Sequence, residues 1–145
     1  MEINEKIKSL NLVINRISSL SKQFIQKQGL NEYVIKTLYV LSSGNAVTQK
    51  EICKISGIPK QTVNNAIHLL TSDGLVILKN HAGDKREKEV ILTEKGRAYL
   101  DETLPQIMDM QLKIIHRIGE DCFDSMVDAL EKYSEAMQEI VEEKI

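Results

Sequence analysis

Cysteine is scarce in this 145-residue chain, with only Cys53 and Cys122. Two thiols make no disulfide framework, which removes the small secreted scaffolds and points to a reducing compartment. No unbroken apolar run exceeds four residues, as in Leu75-Val76-Ile77-Leu78, whereas a membrane-spanning helix needs about 20. The opening residues Met1 to Lys6 are too polar for a secretory signal, so the expected location is the cytoplasm. No internal repeat, low-complexity tract or Pro/Gly/Ser linker interrupts the chain, and a single domain of roughly 100–200 residues is expected. Nor is there a Ser/His/Asp or Cys/His spacing, a phosphate-cradling glycine loop, or a carboxylate pair at a turn, which argues against an enzyme. The three histidines, His68, His81 and His116, form no His-x3-His pair, so neither a metal nor any other cofactor is expected.

What is present is ordinary globular material, 42% hydrophobic and 28% charged. A chain of this size buries about two thirds of its unfolded surface and can fold without a metal or disulfide. The net charge of −2 conceals a segregation. Residues 1–47 carry six Lys/Arg against three acids, residues 48–97 nine against six, and residues 98–145 four against twelve. The last third repels phosphate; the first two thirds can face it.

Apolar residues Ile3, Ile7, Leu10, Ile14, Ile17, Leu20 and Phe24 recur at steps of three and four, one face of a long helix that Gly29 ends as a left-handed cap. A second helix starts at Asn31 and presents Val34, Leu38 and Leu41 before the Ser42-Ser43-Gly44-Asn45 break. Thr48-Gln49-Lys50-Glu51 is a capping box and starts a short third helix that stops at Ser56-Gly57. Pro59 suits the first turn of a fourth helix, whose inward face is Val63, Ile67 and Leu70 and which ends before Asp73-Gly74. The period then changes. Leu75–Asn80 and Lys88–Thr93 are predicted strands of a hairpin, with residues 81–87 as its charged tip. Thr93 caps a fifth helix using Leu100, Leu104, Ile107, Leu112, Ile114 or Ile115, and Ile118, in which Pro105 predicts a kink. After Gly119, a sixth helix aligns Phe123, Met126, Val127, Leu130, Met137 and Ile140.

The expected fold is therefore mainly α (α+β), a winged helix-turn-helix in the order α-α-α-α-β-β-α-α. On the fourth helix the positions outside the core are Lys60, Gln61, Thr62, Asn64, Asn65 and His68. All six are polar, and no acid occurs before Asp73, as expected of a face that approaches phosphate. A solvated helix that happens to lack acids is the other account of the same residues. Asn and Gln pair with the N6/N7 edge of adenine, whereas Arg favours guanine, so Gln61, Asn64 and Asn65 point to an A·T-rich target. On the hairpin, Lys79, Lys85, Arg86 and Lys88 supply positive charge. Arg86 is placed to enter a narrow minor groove, with Asp84 orienting its guanidinium. A solvated tip of mixed charge would contain the same residues.

The arrangement Asp84-x-Arg86-x5-Leu92-Thr93, preceded by Leu70, Asp73-Gly74-Leu75-Val76 and Thr48-Gln49-Lys50-Glu51-Ile52, resembles the MarR (multiple antibiotic resistance regulator) family. The likeness extends over the flanking helices, the length and the proline of the fifth helix. It implies a homodimeric bacterial transcription regulator, usually a repressor released by a small ligand or a redox signal. It also implies that the fourth helix reads the major groove while the wing arginine, here Arg86, enters the minor groove. Three departures stand out. The family often has an Arg about where Asn65 stands. Its hydroperoxide-sensing branch uses a cysteine near the start of the first helix, but none precedes Cys53 here. Its zinc-sensing branch clusters His, Glu and Cys between the first two helices and the fifth, and here neither of the first two holds a histidine.

Under this reading residues 1–28 and 97–145 are dimerisation helices and residues 30–96 the winged helix-turn-helix. The apolar stripes of the first, fifth and sixth helices form an isologous two-fold contact. Packing of the same stripes within one chain is the other account, and the two are not exclusive. The partners expected are double-stranded DNA with a pseudopalindromic, A·T-rich operator, a second copy of the chain, and a small-molecule effector; no membrane is expected. Tyr33, Tyr39, Met108 and Met110 could line an effector cleft, but core packing is the plainer expectation for them. Cys53 is expected as a small buried hydrophobe. Cys122 sits at a helix start, where Glu120 and Asp121 oppose any lowering of its thiol pKa. A protein–protein module on a winged helix that has lost DNA binding is the alternative function; it predicts no salt-dependent DNA affinity.

Overall fold

A computed structural model describes residues 1–44, 48–81 and 84–143, and of His81, Asp84 and Lys85 it describes the backbone alone. The elements run α1 (Ile3–Lys27), α2 (Glu32–Ser42), α3 (Gln49–Ser56), α4 (Lys60–Ser72), β1 (Val76–His81), β2 (Asp84–Leu92), α5 (Glu94–Ile118) and α6 (Glu120–Glu142). The order is the expected one. Two compact units result, Met1–Glu102 and Thr103–Ile145, with the boundary inside α5.

In the first unit the helix ends follow from local chemistry. Past α1, the Gly29 amide bonds the Gln26 carbonyl and the Leu30 amide that of Ile25, with Gly29 at φ 74°, a Schellman motif. The same pattern closes α4, where Gly74 bonds Thr71 and Leu75 bonds Leu70. Asn31 caps α2 by accepting from the Tyr33 and Val34 amides. Thr48 Oγ1 accepts from the Glu51 amide while Glu51 Oε1 accepts from the Thr48 amide, completing the capping box. Pro59 lies one position outside expectation, as the N-cap of α4 rather than in its first turn.

α2 is the hub. It touches α1, α3, α4 and β2, so it buries Ile35, Thr37 and Val40 as well as the expected Leu38 and Leu41, while Val34 is only half-buried. The single apolar face drawn from its periodicity was too narrow, because neighbours surround it. Leu38, Ile52, Val63, Ile67, Leu70 and Val76 are the largest fully buried apolar side chains. From α1 the buried residue is Ile25, while Ile3, Ile7, Ile14, Ile17 and Leu20 of its apolar stripe are exposed. Cys53 is half-buried rather than buried.

The hairpin is longer than its composition indicates. β2 begins at Asp84, so residues assigned to the tip belong to a strand. Antiparallel pairing runs from Val76 opposite Leu92 to Asn80 opposite Lys88, then shifts so that His81 faces Asp84. Charged residues 85–88 have low strand preference, and it is the pairing that places them. Thr48 adds a further antiparallel bridge to Glu89, tying the start of α3 to the wing. The beginning of α5 is locked to the end of α4: Thr93 Oγ1 accepts from the Gly96 amide and donates to the Gly74 carbonyl.

The second unit contains the remainder of α5 and α6. Pro105 lies within α5, which continues unbroken to Ile118. Nothing on α6 is buried; Met126, Val127, Leu130, Met137 and Ile140 are all exposed. Among the described residues no helix is long and apolar enough to cross a membrane.

Candidate nucleic-acid interface

The helix-turn-helix is built by α3, the turn Gly57–Pro59 and α4. Gly57 takes φ 69°, a left-handed conformation that costs a residue without Cβ little, and Ser56 Oγ accepts from the Ile58 amide. Ile58 is buried beneath the turn. α4 then turns Val63, Ala66, Ile67 and Leu70 inward, which leaves a second face of different chemistry. Lys60, Gln61, Asn65 and His68 are exposed on it, and Thr62 and Asn64 are half-buried. Burial of the apolar face therefore brings all six residues singled out from the sequence onto one helix outside the core.

No acid lies in the first turn of α4, and its N-cap Pro59 supplies no side-chain acceptor. The amides and the positive end of the helix dipole at this terminus are thus uncompensated, a setting that favours phosphate oxygen. Two amide pairs order the face. Gln61 Nε2 donates to Asn65 Oδ1 at 3.1 Å, and Gln49 Nε2, from α3, donates to Asn64 Oδ1 at 3.4 Å. Gln49 was not among the residues expected at the site. The available signal was its position immediately after the Thr48 cap, at the start of α3.

On the wing, Lys79, Arg86 and Lys88 are exposed. The strand pairing puts Lys79 opposite Glu89 and Lys88 opposite Asn80. The side chains of Asp84 and Lys85 lie outside the described residues, and with them the expected bracing of Arg86 by Asp84.

The residues for which core packing was the plainer expectation are not core. Tyr39 is 60% exposed, Tyr33 and Met108 are also exposed, and Met110 is half-buried, so plain core packing does not describe them. Tyr33 borders an open cleft of about 420 Å³ with Lys22, Gln26, Leu30, Asn31 and Glu32. Glu32 there forms ion pairs with both Lys22 and Lys36 at 3.8 Å. Cys122 is exposed.

Comparison with known proteins agrees with this geometry. The model of the MarR family matches residues 29–87, which span α2, the helix-turn-helix and the first part of the wing. The HTH-type transcriptional repressor YetL of Bacillus subtilis is 28% identical over 99 residues, covering 67% of this chain. The chain spans 59% of the length of that relative. Among solved structures, NMB1585, a MarR family regulator from Neisseria meningitidis, superposes with a TM-score of 0.77 at 26% identity, covering 94% of this chain and 96% of its own. BpsR of Bordetella bronchiseptica, whose DNA binding is regulated by 6-hydroxynicotinic acid, also reaches 0.77, at 21% identity, over 87% of this chain and 98% of its own. The element order, the helix-turn-helix with its wing, and these likenesses agree: the chain is similar to MarR family regulators, over residues 29–87 by the family model and over most of its length by fold.

Proposed function

We propose that this chain is a homodimeric, sequence-specific DNA-binding transcription regulator, a repressor released when a small ligand binds. The observation that carries the reading is the acid-free outward face of α4, set on a closed apolar core beside a basic wing. Lys60, Gln61, Thr62, Asn64, Asn65 and His68 meet the major groove. Lys85, Arg86 and Lys88 meet the phosphates and the adjacent minor groove, with Asp84 orienting Arg86. The naming of YetL as a repressor and the ligand-regulated DNA binding of BpsR support the same reading.

Residues 1–28 and 97–145 serve as dimerisation helices and residues 30–96 as the DNA-binding region. Ile3, Ile7, Ile14, Ile17 and Leu20 on α1, Leu112, Ile114 and Ile118 on α5, and the α6 stripe are exposed in the single chain. Contiguous apolar stripes of this kind mark a protein interface. A two-fold contact through them would set two copies of α4 into successive major grooves, about 34–36 Å apart, on a pseudopalindromic operator.

The test is fluorescence anisotropy with DNA from upstream of the chain's own gene and with random duplex, at about 50 and 200 mM salt. Preference for the upstream DNA, bound as a dimer and weakening steeply with salt, is the expected result. Equal, salt-insensitive binding to both duplexes would overturn the reading and favour a protein-binding role.

A further inference from the structure

The amides on the outward face of α4 are coupled in pairs. Gln49 Nε2 donates to Asn64 Oδ1, and Gln61 Nε2 donates to Asn65 Oδ1. A primary amide carries two N–H donors and two oxygen lone pairs. In each pair the glutamine nitrogen occupies one lone pair of the asparagine oxygen. Flipping the asparagine alone would set nitrogen against nitrogen, so the two amides of a pair turn only together. Each asparagine keeps both N–H donors and one free lone pair. A bidentate contact with adenine uses that set, an N–H to N7 and the oxygen to the N6 amino group. Guanine presents two acceptors, O6 and N7, and would leave the oxygen facing another acceptor.

Gln49 is itself well anchored. It follows Thr48, which is 1% exposed, closed in the capping box with Glu51 and bridged by its backbone to Glu89 of β2. Its side chain is half-buried and crosses from α3 to α4, so it starts from backbone held on two sides. An amide oriented before DNA arrives loses less rotamer freedom on binding than a free one.

On the reading that the chain binds DNA through α4, we propose that Gln49 is a positioning residue: it holds the Asn64 amide in the orientation that reads adenine in the major groove. Gln61 does the same for Asn65 from within α4.

The probe is a set of duplexes selected by the wild-type chain from a randomised library. The base pair read by Asn64 is the one at which Asn64→Ala loses discrimination. Gln49→Ala is expected to lower discrimination at that same pair by about 2- to 10-fold, the worth of one net hydrogen bond. Affinity for random duplex and the melting temperature should stay at wild-type values. The double variant should lose no more than Asn64→Ala alone, because Gln49 acts through Asn64. Gln49→Glu, which keeps a good first-turn residue on α3, exchanges the donor for an acceptor and should lower the adenine preference below that of Gln49→Ala. Additive losses in the double variant, or full adenine preference in both Gln49 variants, would overturn the assignment. A wild-type chain that selects no sequence at all would instead overturn the DNA-binding reading on which it rests.

Discussion

Arg86→Ala separates a wing that touches DNA from one that merely carries charge. Among the described side chains of the proposed interface, three exposed cations per chain stand where phosphate is expected: Lys60 at the start of α4, and Arg86 and Lys88 on β2. A dimer doubles them, and about six phosphate neutralisations give a slope of about −5.4 in log affinity against log salt. Raising salt fourfold then weakens wild-type binding by about 2,000-fold. Removing Arg86 from both chains leaves about four contacts, a slope of about −3.6 and a loss of only about 150-fold over the same range. The assay is anisotropy at four salt concentrations on one fixed duplex, with sedimentation confirming that the dimer is unchanged. An Arg86→Ala slope equal to that of wild type would refute the wing contact, even if affinity fell.

Thr48→Ala removes a buried cap and leaves the Glu51 carboxylate only the residue-48 backbone amide, so it should cost about 1–2 kcal/mol in denaturant unfolding. Adding Glu51→Ala should then cost less than the two single losses together, since the pair acts as one box. Gly96→Ala would normally favour a helix, but a Cβ there would run into the Leu75 carbonyl and press on Leu92. Urea unfolding should therefore show about 1–3 kcal/mol of destabilisation. Leu130→Lys, on the exposed stripe of α6, should shift sedimentation from dimer to monomer without unfolding the chain, as a desolvated charge at an interface requires. Asn65→Ala should cost about 1–3 kcal/mol at a contacted adenine and little on random duplex, in the same anisotropy assay.

The parts of the fold legible from the sequence are those decided locally. The Thr48 capping box, the Gly29 and Gly74 helix stops and the inward face of α4 each depend on residues within one or two turns, and each is found where expected. What depends on neighbours distant in sequence was less visible. α2 buries Thr37 and Val40 beyond its expected stripe because other elements surround it. β2 reaches back to Asp84 because β1 pairs with it, although Lys85, Glu87 and Lys88 are poor strand formers. The Gln49–Asn64 bond joins residues fifteen apart and depends on how α3 crosses α4, which no periodicity encodes. The outward face of α4 was readable because all six of its residues differ in kind from the core residues between them. The apolar stripes of α1, α5 and α6 were readable too. Periodicity does not distinguish a stripe that covers its own core from one that meets a second chain, and here most of their residues are exposed.

Purine N7 protection on a bound duplex tests the central claim most directly, because N7 lies in the major groove, which α4 is proposed to enter. Dimethyl sulfate reports guanine and diethyl pyrocarbonate adenine. Two protected patches, about 10–10.5 bp apart from centre to centre, are the result predicted for a dimer that sets its two α4 helices in successive major grooves. A duplex bound with undiminished N7 reactivity, or protected at a single patch only, would contradict it.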